Sequence, residues 1–195
     1  MAADGELRVP VGSPNAVSRL AARVRGLWPT GAAELIALCI GSDRSTGDAL
    51  GPLVGSSLQD RVSAVGSEAR VYVYGTLDAP VHAANLADAW LEVRGRHRRA
   101  FVLAVDACLG RPENVGTIAV RAGPLQPGSG VNKRLPAVGD AHVVGVVNVG
   151  GFLEYLVLQN TRLSLVMRMA DVIAAGLWLA TAPQEVELGE AAAIP

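Results

Sequence analysis

The segment RAFVLAVDACLG (residues 99–110) contains the most apolar strand candidate in the chain. Its run FVLAV is apolar on both faces, which is typical of a central strand that helices cover on both sides of a sheet. Asp106 follows this run directly. Packing does not call for a carboxylate there, and burying one without a partner costs free energy. We therefore take Asp106 as a candidate functional residue, with a local cap of the following turn as the structural alternative.

Outward from this segment, apolar runs of strand length alternate with stretches of helical spacing. The predicted strands lie at 34–41, 69–75, 99–110, 115–123 and 142–149. The predicted helices lie at 47–61, 79–93, 151–159 and 162–181. This alternation predicts an α/β fold, a three-layer sandwich built on a mostly parallel or mixed sheet.

The length of 195 residues predicts one domain between two flanking segments. Residues 1–30 are polar and interrupted by Pro and Gly, with a short helical pattern at 17–27. We interpret them as an N-terminal extension that packs late or stays mobile. The single α/β domain is expected at 31–182, and residues 183–195 have the composition of a C-terminal tail.

Composition excludes several classes of protein. Half of the residues are hydrophobic and 18% are charged, so the chain is not intrinsically disordered. A net charge of −1 argues against binding to nucleic acid, and two cysteines cannot form a disulfide framework. The first residues contain no apolar signal segment, and Arg168 and Asp171 interrupt the apolar stretch 163–182, which argues against a membrane span. We expect a cytoplasmic protein.

A second carboxylate, Asp48, lies in GSDRSTGDALGP (41–52), between the first predicted strand and its helix. Ser45 and Asp48 have the spacing of a capping box, so a role at the helix start is the structural alternative. In open α/β sheets, ligands bind at the carboxyl ends of strands, where Asp48 and Asp106 are both expected. Two close carboxylates share a proton, so one acts as general base on water and the other as general acid. The same pair could instead hold a metal together with a His.

The loop at 123–136 is long for a compact domain, and long ordered loops are often functional. Its segment PGSGVNKR (127–134) offers main-chain N–H groups and two cations to an anion or a peptide carbonyl, with a solvated surface loop as the equal alternative. His142 follows this loop and is the best His candidate for a ligand or an acid–base group. His82 and His97 are expected to be structural. The chain contains no GxGxxG, Walker A or GxSxG motif.

Four stretches of the chain resemble a known family. They are IGSDRSTGDALGP (40–52), YGTLDAPVHAANL (74–86), VDACLGRPENVG (105–116) and PGSGVNKRLPAVGDAHVVGVVNVGGFLEYLVLQNTRL (127–163). Together they resemble the YyaC family of sporulation proteins, which are described as spore proteases, and the resemblance spans residues 34–180. The first and third stretches are distantly similar to the germination protease and to the hydrogenase maturation endopeptidases. The resemblance implies a phosphorylase/hydrolase-like α/β sandwich and a peptidase activity.

The resemblance also implies roles for individual residues. In the germination protease, the Asp of the DALGP motif, here Asp48, is one of two proposed catalytic carboxylates. The other ends a strand before an Ala, which here is Asp106. In the hydrogenase maturation endopeptidases the Asp48 position is a Glu that binds metal, and His142 is a stand-in for their third ligand. The chain departs from these patterns at Ser42, which replaces the usual Asn, and it lacks the insertions of the germination protease.

We therefore predict a sporulation-associated endopeptidase that hydrolyses peptide bonds with Asp48 and Asp106, without a metal or other cofactor. Its expected partner is a protein or peptide substrate, for example a small acid-soluble spore protein. Neither nucleic acid nor a membrane is expected as a partner. The sequence does not decide whether the protein forms a homo-oligomer. The predicted substrate-binding residues are Ser129, Asn132, Lys133 and His142. The alternatives are a partner-binding protein of sporulation without catalysis, and a metal-dependent maturation peptidase that uses Asp48, Asp106 and His142.

Overall fold

One mixed sheet of six strands organises the chain, in a computed structural model that describes residues 5–66, 70–128 and 135–182. The strands are β1 (Leu7–Pro10), β2 (Leu35–Cys39), β3 (Val71–Tyr74), β4 (Phe101–Gly110), β5 (Thr117–Ala122) and β6 (Ala141–Val149). Their order across the sheet is β1-β5-β6-β4-β2-β3. The four strands β3, β2, β4 and β6 are parallel, whereas β5 is antiparallel to β6 and β1 is antiparallel to β5. The predicted mixed sheet is confirmed.

Helices cover both faces of this sheet. They are α1 (Ala16–Leu27), α2 (Leu50–Val65), α3 (Leu86–Arg96), α4 (Glu154–Gln159) and α5 (Leu163–Thr181), and a short 3₁₀ helix lies at Pro112–Asn114. Side chains of α1, α2 and α5 form one buried cluster with one face of the sheet. Side chains of α3 form a second cluster with the other face. The three layers predicted from the sequence are therefore present.

β4 lies in the middle of the sheet, between β6 and β2, and both of its faces are buried. Leu103 and Val105 belong to the cluster under α2 and α5, and Val102 and Ala104 belong to the cluster under α3. All four side chains are fully buried. The apolar run therefore satisfies two cores at once, as a continuous apolar strand does in a sheet covered on both sides.

The first thirty residues, which the sequence predicts to be a separate extension, supply β1 and α1. β1 pairs with β5 along the sheet edge, and Leu20, Ala21 and Val24 of α1 are fully buried. Gly176 of α5 lets the helices approach, because a Cβ there would lie 2.6 Å from the Leu20 side chain. Residues 7–27 thus pack into the same core as the rest of the sheet. The expected tail at 183–195 lies outside the described residues.

In the described part of the chain, one helix, α5, has the length and apolar composition to cross a membrane. Its residues Met169, Ile173 and Leu177 are fully buried in the core, whereas Arg168 and Asp171 are exposed. Packing against α1 and α2 therefore accounts for its apolar face. Some of its apolar residues, such as Met167, remain exposed.

The start of α2 lies against the main chain at the end of β2. A Cβ added to Gly51 would lie 2.0 Å from the carbonyl oxygen of Ile40, and one added to Gly41 would lie 2.0 Å from the carbonyl oxygen of Asp48. Gly41 also has a φ of +142°, a conformation that side chains rarely adopt. These two glycines bring the helix start and its preceding turn onto the end of β2.

We expect Gly51→Ala to destabilise the protein, although alanine is the better helix former. The added methyl meets a main-chain oxygen that no side-chain rotation can move, and overpacking of this kind costs about 1–3 kcal/mol. The measurement is the free energy of unfolding in urea. Gly95→Ala is the matched control, because a Cβ there meets open space on α3 and the change should be neutral or stabilising by up to ~1 kcal/mol. Equal effects of the two substitutions would contradict the tight contact.

Candidate functional site

Asp48 and Asp106 reach the same edge of the sheet from adjacent strands. β2 and β4 are parallel neighbours, and their last paired residues are Cys39 and Val105. Asp106 is the next residue of β4. The chain after β2 turns at Gly41 and returns to Asp48, just before α2 begins at Leu50. Asp48 therefore lies beyond the carboxyl end of β2, at the edge where open α/β sheets bind ligands. The expectation that Asp106 ends its strand is wrong, because β4 continues to Gly110 by pairing with β6, and Asp106 lies instead where the pairing of β2 with β4 stops.

The turn from Gly41 to Asp48 is closed by main-chain hydrogen bonds rather than by a helix cap. The Ser42 N–H donates to the Asp48 carbonyl at 3.2 Å, and the Ala49 N–H donates to the Ser45 carbonyl at 3.0 Å. Within the described residues, no side chain caps α2, and the buried Ser45 hydroxyl has no hydrogen-bond partner. The capping-box alternative for Asp48 is therefore wrong.

Burial and the nearby negative charge of Asp48 both favour the protonated form of Asp106. Burial is the larger cause that raises the pKa of Asp106 well above its usual value, and the negative charge of Asp48 raises it further. The Ala107 N–H donates to Asp106 Oδ1 at 2.8 Å and opposes this rise in pKa. Asp106 therefore stays protonated to a higher pH than an exposed carboxyl does.

The pKa of Asp48 is also raised above its usual value, but less than that of Asp106. Burial raises its pKa, but the Ser42 N–H and the charge of His82 both lower it. The two carboxyls are thus coupled and unequal, with Asp106 the stronger holder of a proton. Unequal coupled carboxyls are the arrangement in which one serves as acid while the other serves as base.

Sequence reasoning missed His82, which it treated as part of a first helical turn. The helix predicted at 79–93 begins only at Leu86. Residues before it extend along the end of β2, where Val81 pairs with Ile40 and its carbonyl accepts the Gly41 N–H at 2.8 Å. This pairing brings His82 close enough to influence the pKa of Asp48. Nothing in the local pattern signals that residues 79–82 continue alongside a strand.

The His82 ring is oriented by its own turn. Its Nδ1 accepts the Ala84 N–H at 3.3 Å, so a neutral ring carries its proton on Nε2. The His82 main-chain N–H donates to Asn85 Oδ1 at 2.8 Å, and the Asn85 side chain donates to the Pro80 carbonyl at 3.0 Å. These bonds fix the turn that presents the ring beside Asp48.

The structure places His142 at the start of β6, opposite Ala104 and two residues short of Asp106 along β4. Its Nδ1 lies 2.9 Å from the Gly123 carbonyl, which occupies one ring nitrogen. The other predicted substrate-binding residues, Ser129, Asn132 and Lys133, lie outside the described residues. Within residues 5–66, 70–128 and 135–182, no group of three or more His, Cys, Asp or Glu is arranged to hold a metal.

Cys108 follows Asp106 on β4 but is poorly suited to nucleophilic chemistry. Burial and the neighbouring Asp106 raise the pKa of its thiol to about 11. The thiolate is the reactive form, so the thiol is inert near neutral pH. The carboxyls, rather than the cysteine, are the candidate reactive groups.

We expect Asp106→Asn to stabilise the protein at neutral pH but not at pH 3. The raised pKa of Asp106 favours the folded state most below its usual value of 3.8, and this advantage is lost as the pH rises through the raised pKa. Every pKa unit is worth about 1.4 kcal/mol of unfolding free energy. The measurement is urea unfolding from pH 3 to pH 8, with Asp60→Asn on the exposed face of α2 as the control for loss of a carboxylate. A difference between Asp106→Asn and the wild type that does not change with pH would show that the pKa of Asp106 is not raised by folding.

Comparisons with known proteins identify the family. Residues 11–176 match the family described as a protein of unknown function, DUF1256. The chain is 55% identical over 145 residues to the uncharacterized protein YyaC of Bacillus subtilis strain 168, covering 74% of this chain and 68% of YyaC. A solved structure, the [NiFe] hydrogenase maturation protease HycI from Thermococcus kodakarensis KOD1, aligns over 76% of this chain and 95% of its own, with a TM-score of 0.49 and 15% identity. The chain belongs to the DUF1256 family and is a homologue of YyaC.

Proposed function

We propose that this protein is a peptide hydrolase in which Asp48 and Asp106 activate water and protonate the leaving group. The observation that carries the proposal is the position of two half-buried carboxyls where the pairing of β2 with β4 ends, with the pKa of Asp106 raised more than that of Asp48. Such a pair supplies a base and an acid from the same residue type, because the environment separates their pKa values.

The roles follow from which carboxyl keeps its proton. Burial raises the pKa of Asp48, but less than that of Asp106, because the Ser42 N–H and the charge of His82 oppose the rise. Asp48 therefore serves as the ionised base and takes a proton from water. The water oxygen then bonds to the peptide carbonyl carbon. Asp106, whose pKa is raised by burial and by Asp48, serves as the acid and donates its proton to the leaving nitrogen as the C–N bond breaks. Transfer of the proton from Asp48 to Asp106 restores the starting state.

The choice of a peptide substrate rests on the motifs around these residues. The stretches that contain Asp48 and Asp106 resemble those of the germination protease, where both positions are proposed to be catalytic. Ser129, Asn132, Lys133 and His142 are proposed to contact the substrate main chain. A small acid-soluble spore protein is the first substrate to test, in a cytoplasmic, sporulation-associated reaction that involves neither nucleic acid nor a membrane.

Substitution of either carboxylate should abolish most of the activity. We expect Asp48→Asn and Asp106→Asn to lower kcat/KM about 100- to 10,000-fold, the usual range for a lost acid or base. Asp43→Asn, an exposed carboxylate in the same turn, is the matched control and should retain activity. Cys108→Ala should also retain activity, because its thiol is protonated. The measurement is the intact mass of a small acid-soluble spore protein during incubation with each variant.

Two outcomes of that assay would exclude the proposed chemistry. An active Asp106→Asn variant would show that this carboxyl is not the acid. Loss of activity with Cys108→Ala alone would indicate a thiol mechanism instead. Specific binding of the spore protein without any cleavage by the wild type would favour the partner-binding alternative.

We expect His82→Asn to move the acidic limb of the kcat–pH profile to higher pH. The charge of His82 lowers the pKa of Asp48, so its removal lets that pKa rise, and the base must then be ionised at a higher pH. The measurement is kcat between pH 4 and pH 8. His142→Asn is the comparison, because a substrate contact should change KM and leave this limb in place. A limb that is unchanged in His82→Asn would show that His82 does not act on Asp48.

A further inference from the structure

An apolar groove separates the end of β6 from α4. We call it the α4 groove; it has a volume of about 490 Å³ and is lined by Asn148, Val149, Phe152, Leu153, Leu156 and Asn160. Phe152 is 86% exposed, Leu153 57% and Leu156 46%. A contiguous patch of exposed apolar side chains is typical of an interaction site, because binding a partner removes the patch from water.

Hydrogen bonds tie the α4 groove to the turn that carries Asp48. Gly47, the residue before Asp48, donates its N–H to the Leu158 carbonyl at 2.9 Å. Asn148 of the groove donates to the Val157 carbonyl at 3.2 Å and to the Thr161 hydroxyl at 3.3 Å. The wall of the groove and the turn that holds Asp48 are therefore directly connected.

Beyond Asp106, one main-chain edge of β4 is paired with none of the described strands. The pairing of β2 with β4 ends at Val105, and in the described part of the chain residues 107–110 pair only with β6. The other edge of this segment has no strand partner among the described residues. Extended peptides commonly bind by adding a strand to such an unpaired edge. At the end of β4, the Gly110 carbonyl accepts the Gly150 N–H at 2.8 Å, at the rim of the α4 groove.

Leu153, which lines the groove, has an unusual backbone conformation. Its φ of 54° is the one positive φ of a non-glycine residue in the described ranges. Leucine rarely adopts this conformation, and strained residues of this kind cluster at ligand-binding sites. Here the conformation occurs between two exposed apolar residues, Phe152 and the half-exposed Leu156.

We infer that the α4 groove binds an apolar side chain of an extended peptide substrate, whose main chain pairs with β4 beyond Asp106. This inference rests on the proposed function, since it specifies which substrate residues lie next to the bond that Asp48 and Asp106 would hydrolyse. The occupant is a peptide because β4 beyond Asp106 has a main-chain edge without a strand partner in the described residues. In addition, Gly150 of the groove is hydrogen-bonded to Gly110 of β4, and α4 is hydrogen-bonded to the turn of Asp48. The protein should then prefer substrates with a large apolar residue near the cleaved bond.

Binding can be measured separately from cleavage. The probes are two fluorescein-labelled peptides of ten residues, one with Leu and Phe at its centre and one with Ser in both places. Fluorescence anisotropy with the Asp106→Asn protein gives a Kd in the absence of hydrolysis. We expect the apolar peptide to bind at least tenfold more tightly than the Ser peptide, and Phe152→Ser or Leu156→Ser to remove that difference.

The matched control is Leu91→Ser on α3, which removes an apolar side chain that is 70% exposed and distant in sequence from the groove. It should leave both Kd values unchanged. Circular dichroism during heating verifies that each variant folds. The same substitutions in the otherwise wild-type protein should raise KM for the apolar peptide and leave kcat within about twofold.

The outcomes distinguish this inference from the proposed function. Selective binding of the apolar peptide without cleavage by the wild type supports the groove and contradicts the hydrolase. Cleavage with a KM that is unaffected by Phe152→Ser, or equal binding of both peptides, overturns the groove and leaves the hydrolase standing. If sedimentation shows that Phe152→Ser converts a dimer into a monomer and neither peptide binds, the groove is an interface between two copies and the inference is wrong.

Discussion

Asp106 lies where a strand with two buried faces leaves the core, and Asp48 faces the same place from the turn after β2. Each carboxyl is partly withdrawn from water, and the charge of Asp48 disfavours ionisation of Asp106. The proton is therefore unequally held, and this inequality gives the two residues different chemical roles. Neighbouring groups lower the pKa of each carboxyl in part. The Ala107 N–H favours an ionised Asp106, and the Ser42 N–H and His82 favour an ionised Asp48.

That balance depends on how closely the main chain can approach itself at the end of β2. Gly41 and Gly51 have no side chain to separate α2 from the strand, so the turn between them folds back tightly. Asp48 is positioned by this close packing rather than by a hydrogen bond from its own side chain to the helix. A small change at either glycine should thus alter the electrostatics of a carboxyl that it does not touch.

The parts of the fold that follow from a repeating pattern could be predicted from the sequence. The FVLAV run identifies β4, alternation gives the α/β layers, and the carboxyl ends of strands identify Asp48 and Asp106 as candidates. The helical pattern at 17–27 predicts α1, but the sequence does not predict that residues 7–27 pack into the core, because a four-residue edge strand gives a weak signal without its partner. His82 was missed for a different reason: its position depends on the pairing of Val81 with Ile40, a contact between segments about forty residues apart.

The pairing of β1 with β5 has a consequence for how the molecule behaves among other copies of itself. β5 would be an outer strand without β1, with a row of unpaired main-chain N–H and C=O groups along one side. Such rows recruit strands from other chains and start aggregation. β1 covers that row with only four residues, the last of which is Pro10, an amino acid without a main-chain donor. The beginning of the chain therefore protects the solubility of the folded protein as well as its stability.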